Sequence, residues 1–124
     1  MKHIHLYTGE DGESHFADVE LEFQTIDFAP PAPPLDISTF GEVENCSILR
    51  AAPGWEGDWH REPGRSVLFY LAGQSEIEVS DGTIRRFGPG DVTIVEDTTG
   101  KGHRSRTVGD ETALKASVQM PGDE

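Results

Sequence analysis

The sequence has a single cysteine and few positive charges, and each shortage excludes a class of protein. Cys46 alone cannot form a disulfide within the chain. The 124 residues carry 10 Lys and Arg against 23 Asp and Glu, a formal net charge of −13. Nucleic acids and anionic membrane surfaces bind clusters of basic side chains, so we expect neither as a partner. No apolar run approaches the roughly 20 residues that cross a bilayer, and no signal-peptide apolar region is evident. These features predict a cytoplasmic protein.

Short β-type segments separated by glycine and proline make up most of the chain. The 14 Gly and 8 Pro among Val-, Ile- and Phe-rich stretches predict many tight turns and little helix. Asp81-Gly82 is a strong hairpin signal. Roughly nine to eleven strands at this spacing indicate one all-β domain, either a sandwich or a barrel. The predicted strands include residues 1–7, 16–28, 46–52, 66–72, 76–80, 83–87, 92–96, 103–108 and 113–118.

The single domain, residues 1–124, divides into an N-terminal part and a core barrel. Residues 1–45 are predicted to hold strands and a proline-rich connector at 30–34, which cannot lie in a central strand. Residues 46–119 are predicted to form the barrel. In the first strand His3 and His5 share a face, and we interpret them as a surface pair because no third metal ligand is in view.

The stretch from Gly54 to Gly73 is the best candidate for chemistry. It is predicted to form two strands around a Pro63-Gly64 turn. Because side chains alternate across a strand, Asp58, His60 and Glu62 are expected on one face. A histidine and a carboxylate two residues apart in a strand can converge on one point.

The return strand of this hairpin is apolar on both faces from Val67 to Leu71. Its inner face is predicted to carry Ser66 and Tyr70. The other face, with Val67, Phe69 and Leu71, requires a second sheet or a second subunit to cover it. The pattern therefore predicts a homodimer or a two-layered domain.

Two motifs in this region resemble the signatures of the cupin superfamily. The matching residues are Gly54, His60 and Gly73 for the first signature, and Gly90-Asp91, Gly100 and His103 for the second. The resemblance implies an antiparallel jelly-roll barrel (a double-stranded β-helix, RmlC-like), commonly dimeric, with its site inside the wider end. Cupins include dioxygenases, isomerases, epimerases, decarboxylases, cyclases and non-enzymatic binders, so the family alone does not fix the reaction.

The ligand set departs from that of a metal-binding cupin. Glu62 occupies the position of the second histidine, Ser66 that of the glutamate, and Thr107 stands where an asparagine often sits. The remaining set of His60, Glu62 and His103 has the chemistry of a facial triad, which suits Fe(II) or Mn(II), and Ni or Zn²⁺ is also admissible. The order resembles that of 2-oxoglutarate-dependent oxygenases, in which Lys115 or an arginine would hold a co-substrate carboxylate. A protein without metal is the alternative.

Without a metal, the same histidines can transfer protons. Either His60 or His103 is a candidate general base near neutral pH, with Tyr70 as acid. Strand alternation also gives Asp58, Ser66, Ser105 and Thr107 access to a ligand. The sequence thus predicts a small-molecule-binding cupin, with three alternatives: a metal-dependent enzyme on a small polar metabolite, a metal-independent isomerase or cyclase, and a non-catalytic binding or sensing protein.

Overall fold

A computed structural model describes residues 1–122 of the chain, and these residues form strands without any helix. None of them therefore belongs to a helix that could span a membrane. The strands are β1 (Lys2–Thr8), β2 (Ser14–Glu20), β3 (Gln24–Ile26), β4 (Leu35–Ile37), β5 (Asn45–Ala51), β6 (Ser66–Ala72), β7 (Gln74–Val79), β8 (Ile84–Phe87), β9 (Val92–Val95), β10 (His103–Val108) and β11 (Ala113–Gln119). The predicted all-β class is confirmed.

Two sheets enclose the interior. The larger has the order β2-β1-β9-β6-β11-β5 and the smaller the order β10-β7-β8, while β3 and β4 form a separate hairpin. Strand β1 is antiparallel to β2 and parallel to β9, so the N-terminal segment lies inside the large sheet. Residues of both sheets share one apolar core: Leu6, Leu68, Tyr70, Ile77, Val79, Phe87 and Val95.

The outer face of the large sheet is covered in part by the chain itself. Val67 is 1% exposed and packs in a second cluster with Ile94 and Met120, against which Phe40 and Phe69 also pack. The rings of Phe40 and Phe69 meet edge to face at 6.0 Å. The segment that follows β4 thus supplies part of the cover that was predicted over this face. Leu71 on the same strand remains exposed. The homodimer stays a prediction.

Two details of the N-terminal prediction are wrong. Residues 16–28 do not form one strand, because β2 ends at Glu20 and residues 24–26 pair with β4 instead. His3 is not a surface residue, since its side chain is buried with its ring edge-on to Phe40 at 6.4 Å. Both differences arise because the chain after β2 leaves the large sheet and folds back over the outer face of β1.

Candidate functional site

His60 and His103 meet, as the sequence predicted. Their backbones exchange two hydrogen bonds, each of 2.9 Å, and their ring centroids lie 4.6 Å apart. His103 is 5% exposed at the start of β10, whereas His60 is exposed and lies at the rim. The pair therefore joins the interior to solvent.

The segment that carries His60 is not a regular strand. Residues 52–65 are joined to β10 by two isolated antiparallel bridges, Glu56 with Arg106 and His60 with His103. From Glu56 to His60 the chain advances four residues, whereas from His103 to Arg106 it advances three. The His60 segment therefore holds one extra residue, as in a β-bulge. The strict alternation predicted for Asp58, His60 and Glu62 is therefore broken.

The extra residue changes what Asp58 does. Its carboxylate accepts a hydrogen bond from the Trp59 backbone N–H at 2.8 Å, and its carbonyl lies 2.9 Å from His60 Nδ1. Trp59 packs outside the barrel against Arg104, whose guanidinium carbon is 4.9 Å from the ring centroid. Asp58 thus contacts the site through its backbone carbonyl.

Asp97 is the residue at this site that the sequence analysis missed. Its side chain is fully buried, and Oδ2 lies 2.6 Å from His103 Nδ1 and accepts a hydrogen bond of 2.9 Å from Ser14 Oγ. Its backbone carbonyl accepts a hydrogen bond from the Glu62 N–H at 3.1 Å. The sequence placed Asp97 in a polar loop, where a carboxylate is ordinarily solvated. No motif signalled its burial.

The partners of the two rings fix their tautomers. A carbonyl oxygen only accepts hydrogen bonds, so His60 Nδ1 carries the proton that it donates to Asp58. The carboxylate of Asp97 likewise assigns a proton to Nδ1 of His103. In the neutral rings Nε2 is consequently unprotonated, and each Nε2 can accept a proton or a hydrogen bond.

Glu62 and Lys115 add two half-buried charges. Burial raises the pKa of Glu62, although the nearby His103, His60 and Lys115 oppose that shift. Burial lowers the pKa of Lys115, against the attraction of Glu62. Lys115 Nζ lies 5.7 Å from the Tyr70 ring centroid, which places it on the inner face of β11.

Several hydroxyl groups in the interior have no hydrogen-bond partner. Ser66 Oγ, Tyr70 OH and Thr93 Oγ1 are buried and have no well-aligned hydrogen-bond partner among residues 1–122, although the Thr93 hydroxyl lies near the Tyr70 phenol and opposes the rise in its pKa. Tyr70 stacks on Phe87 at 5.1 Å, and its burial raises the pKa of the phenol well above the usual value. Buried polar groups are normally satisfied, so these three are available to a bound molecule or water.

The remaining predicted ligand-binding residues contribute less. Thr107 is buried, and its hydroxyl donates to the Ala51 carbonyl at 3.4 Å. Ser105 is half-buried, and its carbonyl accepts the Gly57 N–H at 2.8 Å. Both belong to β10, which the Thr107 hydroxyl joins to the end of β5 and the Ser105 carbonyl joins to the His60 segment.

The donor set does not fit a metal site with three protein ligands. In the part of the chain that is described, no three His, Cys, Asp or Glu side chains are placed to share an ion. Asp97 contacts His103 on the Nδ1 side and so orients the ring. The predicted set of His60, Glu62 and His103 supplies two imidazoles without a third converging ligand.

Two grooves lie elsewhere on the molecule. One, of about 300 Å³, is on the outside of the small sheet between Glu76, Glu78, Arg104 and Arg106. The other, of about 500 Å³, lies by the β3–β4 hairpin and includes His3 and Phe40. Neither groove is lined by His60 or His103.

The approach of residue 102 to His60 gives a first prediction. Gly102 has φ +79°, and a Cβ there would collide with the His60 carbonyl. Gly12 has the same φ of +79° with open space around it, so it is a matched control. Both alanine variants bear the left-handed backbone cost of about 1–2 kcal/mol. Gly102→Ala should lose at least about 2 kcal/mol more in urea unfolding, because of the collision. Equal losses would contradict this packing.

Glu62 gives a prediction about pH. Its raised pKa means that the folded chain retains the proton more strongly than the unfolded chain does. Stability therefore falls as pH rises from the unfolded-state pKa, about 4.3, through the raised pKa. Glu62→Gln should raise the melting temperature by a few degrees at pH 7.5, and the gain should vanish below pH of about 4. Glu42→Gln, at an exposed position, is the control. A loss of stability at pH 7.5 would contradict the prediction.

Comparisons with known proteins were made by sequence and by structure. No protein-family profile matches the sequence, and no curated protein matches it. Solved structures do match. A cupin 2 conserved barrel domain protein from Salinispora arenicola is 24% identical with a TM-score of 0.52, over 82% of this chain and 76% of that one. The cupin domain of Schizosaccharomyces pombe Cnp3 is 16% identical with a TM-score of 0.51, over 98% of this chain and 83% of that domain.

A cupin-like protein from Thermotoga maritima is 20% identical with a TM-score of 0.52. The match covers 60% of this chain and only 55% of the length of that protein. At such identities the likeness concerns architecture alone, since one fold carries many reactions. The chain has the cupin fold, the antiparallel jelly-roll barrel that its two sequence signatures predicted.

Proposed function

We propose that the protein binds a small polar molecule at the His60–His103 end of the barrel and transfers protons to and from it. The observation that carries this proposal is the buried contact of 2.6 Å between Asp97 and His103, which places the proton of the neutral ring on Nδ1 and so leaves Nε2 as the proton acceptor. A carboxylate on the far side of an imidazole holds its tautomer and stabilises the imidazolium that forms when Nε2 takes a proton.

The two imidazoles have different environments, and so different roles. His103 has a carboxylate behind it and is almost wholly buried, which favours it as the base that removes a proton from the substrate. His60 is exposed and has only a carbonyl behind it. His60 can take a proton from solvent and give it to a second position on the substrate, which isomerises it, or to the other face of the same carbon, which epimerises it. The net reaction is an isomerisation or epimerisation without change of oxidation state.

Tyr70 is assigned a different role from the acid first expected. Burial raises the pKa of its phenol, so loss of the proton is unfavourable. Its unpaired OH instead donates a hydrogen bond to the bound molecule, together with the Ser66 hydroxyl. A metal at this site, Fe, Mn, Ni or Zn, stays a prediction from the cupin resemblance, and no step above uses one.

The test compares ligand binding in wild type and His60→Gln. This variant leaves His103 in place as the partner of Asp97. Because His60 is exposed, its replacement also leaves no cavity in the core. His15→Gln, which changes a histidine bound by Asp11 and Asp81 outside the site, is the control. Small polar metabolites that raise the melting temperature of wild type should bind about tenfold more weakly to His60→Gln and unchanged to the control.

Proton transfer is measured on the same compounds. In D₂O, wild type should introduce deuterium at a carbon next to a carbonyl group of the bound metabolite, as observed by ¹H NMR. His60→Gln should do so more slowly, while the control keeps the wild-type rate. Binding that depends on His60 but brings no deuterium would refute the catalytic part and favour a binding or sensing protein. Unchanged binding in His60→Gln would refute the site.

The proposed homodimer is supported by exposed apolar residues on the outer face of the large sheet. Ile48 on the edge strand β5 is 62% exposed and Leu71 on β6 is 51% exposed. A second copy of the chain would remove both from water. Sedimentation equilibrium at micromolar concentration decides the point, and a monomeric mass would refute the dimer.

A further inference from the structure

The groove beside the β3–β4 hairpin holds two nitrogen-bearing side chains with free hydrogen-bonding groups. His3 is 7% exposed, and its Nδ1 atom is buried without a hydrogen bond to any residue in 1–122. Arg65 donates from Nε to Glu96, while its two terminal amino groups form no hydrogen bond to the described residues. Both residues line this groove, which has a volume of about 500 Å³. Buried polar groups are normally satisfied, so the unpaired imidazole points to a bound molecule.

We propose that this groove binds a small amphipathic carboxylic acid, with its carboxylate at Arg65 and His3 and its apolar part along the wall of the groove. The site lies outside the large sheet and is separate from the His60–His103 end of the barrel, because neither of those histidines lines the groove. The inference therefore goes beyond the proposed function and does not depend on it.

Glu96 orients Arg65 for a second carboxylate. One oxygen of Glu96 accepts the hydrogen bond from Arg65 Nε, and the other lies 3.0 Å from His5 Nε2. The guanidinium is thus held at its Nε end and keeps two amino groups for another partner. Such a fork binds the two oxygens of a carboxylate with parallel hydrogen bonds. Because Glu96 offsets part of the positive charge, the apolar wall must supply the rest of the affinity.

His3 is the second polar group of the site. Burial lowers the pKa of His3, as does the neighbouring His5, so the ring is neutral near pH 7. A neutral imidazole has one N–H, which can donate to a carboxylate oxygen. A carboxylate at this distance also favours the protonated ring. Binding of an acid therefore raises the pKa of His3, and NMR can follow that change.

The wall of the groove is apolar. Ile94 is 8% exposed and belongs to the outer cluster of the large sheet, against which Phe40 packs. Ile37 at the end of β4 also lines the groove, together with Phe23, which is 46% exposed. A chain or ring placed along these side chains removes its own apolar surface and that of Phe23 from water. The volume lies within the range of small-molecule sites, about 300–1,000 Å³.

The head group is a carboxylate because of the donors that the groove offers. Glu20 and Glu22 also line it, but both are exposed to water, which screens their charges. An ammonium group would be repelled by Arg65, and a neutral amide has only one acceptor oxygen for the guanidinium fork. A carboxylate alone satisfies both amino groups.

The experiment compares different head groups on one apolar body. Phenylpropionate is compared with phenylpropionamide and phenylpropylamine, and acetate is the acid without an apolar part. Each compound is titrated into the full chain up to tens of millimolar. NMR follows the rings of His3 and Phe40 in the groove and those of His60 and His103 in the barrel, so that the spectra locate the bound molecule.

Two pairs of variants test the two halves of the site. Arg65→Met removes the fork, and its control is Arg85→Met, which removes an arginine that pairs with Asp18 away from the groove. Phe23→Ser removes part of the apolar wall, and its control is Phe28→Ser at an exposed position that does not line the groove. All four side chains are more than one-third exposed, so the variants keep the core.

Phenylpropionate should bind to wild type about tenfold more tightly than its amide, its amine or acetate, and should shift the rings of His3 and Phe40. Arg65→Met should lose about tenfold in affinity for this acid and Phe23→Ser about threefold, with both controls unchanged. The pKa of His3 should be higher by at least about half a pH unit in the presence of the acid.

Several results would overturn the proposal. They are an amide or amine that binds as tightly as the acid, equal affinity in either variant and its control, a pKa of His3 that the acid does not raise, and no binding of the acid at tens of millimolar. Shifts confined to the rings of His60 and His103 would also overturn it, because the acid would then occupy the barrel instead of the groove.

Discussion

The buried contact between Asp97 and His103 is the constraint on which the polar end of the barrel depends. A fully buried carboxylate is costly unless hydrogen bonds compensate it, and in Asp97 they reach Oδ2 while Oδ1 has no partner among residues 1–122. Ser14 at the start of β2 and His103 at the start of β10 both supply donors to its Oδ2 atom, while its own carbonyl accepts the Glu62 N–H. One residue thus fixes the positions of β2, β10 and the irregular segment that carries His60.

The interior is divided into an apolar part and a polar part. Leu6, Phe87 and their neighbours fill the space between the two sheets and stabilise the barrel by burial. The polar part carries the imidazoles, Glu62, Lys115 and unpaired hydroxyls, a combination that opposes folding unless something binds there. Proteins accept such local costs where a ligand or a reaction requires them. This division is the physical argument for placing function at the His60–His103 end.

The sequence predicted the features that depend on local chemistry. Strand periodicity and turn residues indicated the all-β class, and the two cupin signatures predicted that His60 and His103 lie together. Features that depend on contacts distant in sequence were missed. Asp97 looked like a loop carboxylate because its donors, Ser14 and His103, come from two other parts of the chain. The bulge before His60 includes Gly57, a residue type that often marks a bulge, but strict alternation was assumed across it and so misplaced Asp58.

Other differences follow from burial that a pattern alone cannot assign. The apolar outer face of β6 required a cover, yet nothing in the periodicity indicated that Phe40 would supply part of it. In the sequence Lys115 was one of several basic residues. The register opposite Tyr70 places it on the inner face of β11, whereas the arginines on the small sheet form ion pairs. In each case the residue type indicated what the side chain could do, and a contact with a distant part of the chain decided where it lies.

The protonation of the two imidazoles tests the central claim most directly. In protein labelled with ¹⁵N at histidine, long-range ¹H–¹⁵N correlation spectra identify which ring nitrogen carries the proton. The account predicts that the neutral forms of His60 and His103 both carry it on Nδ1, and that Asp97→Asn weakens this preference at His103. Finding the proton of neutral His103 on Nε2 would contradict the account, because that nitrogen could then not accept a proton from a substrate.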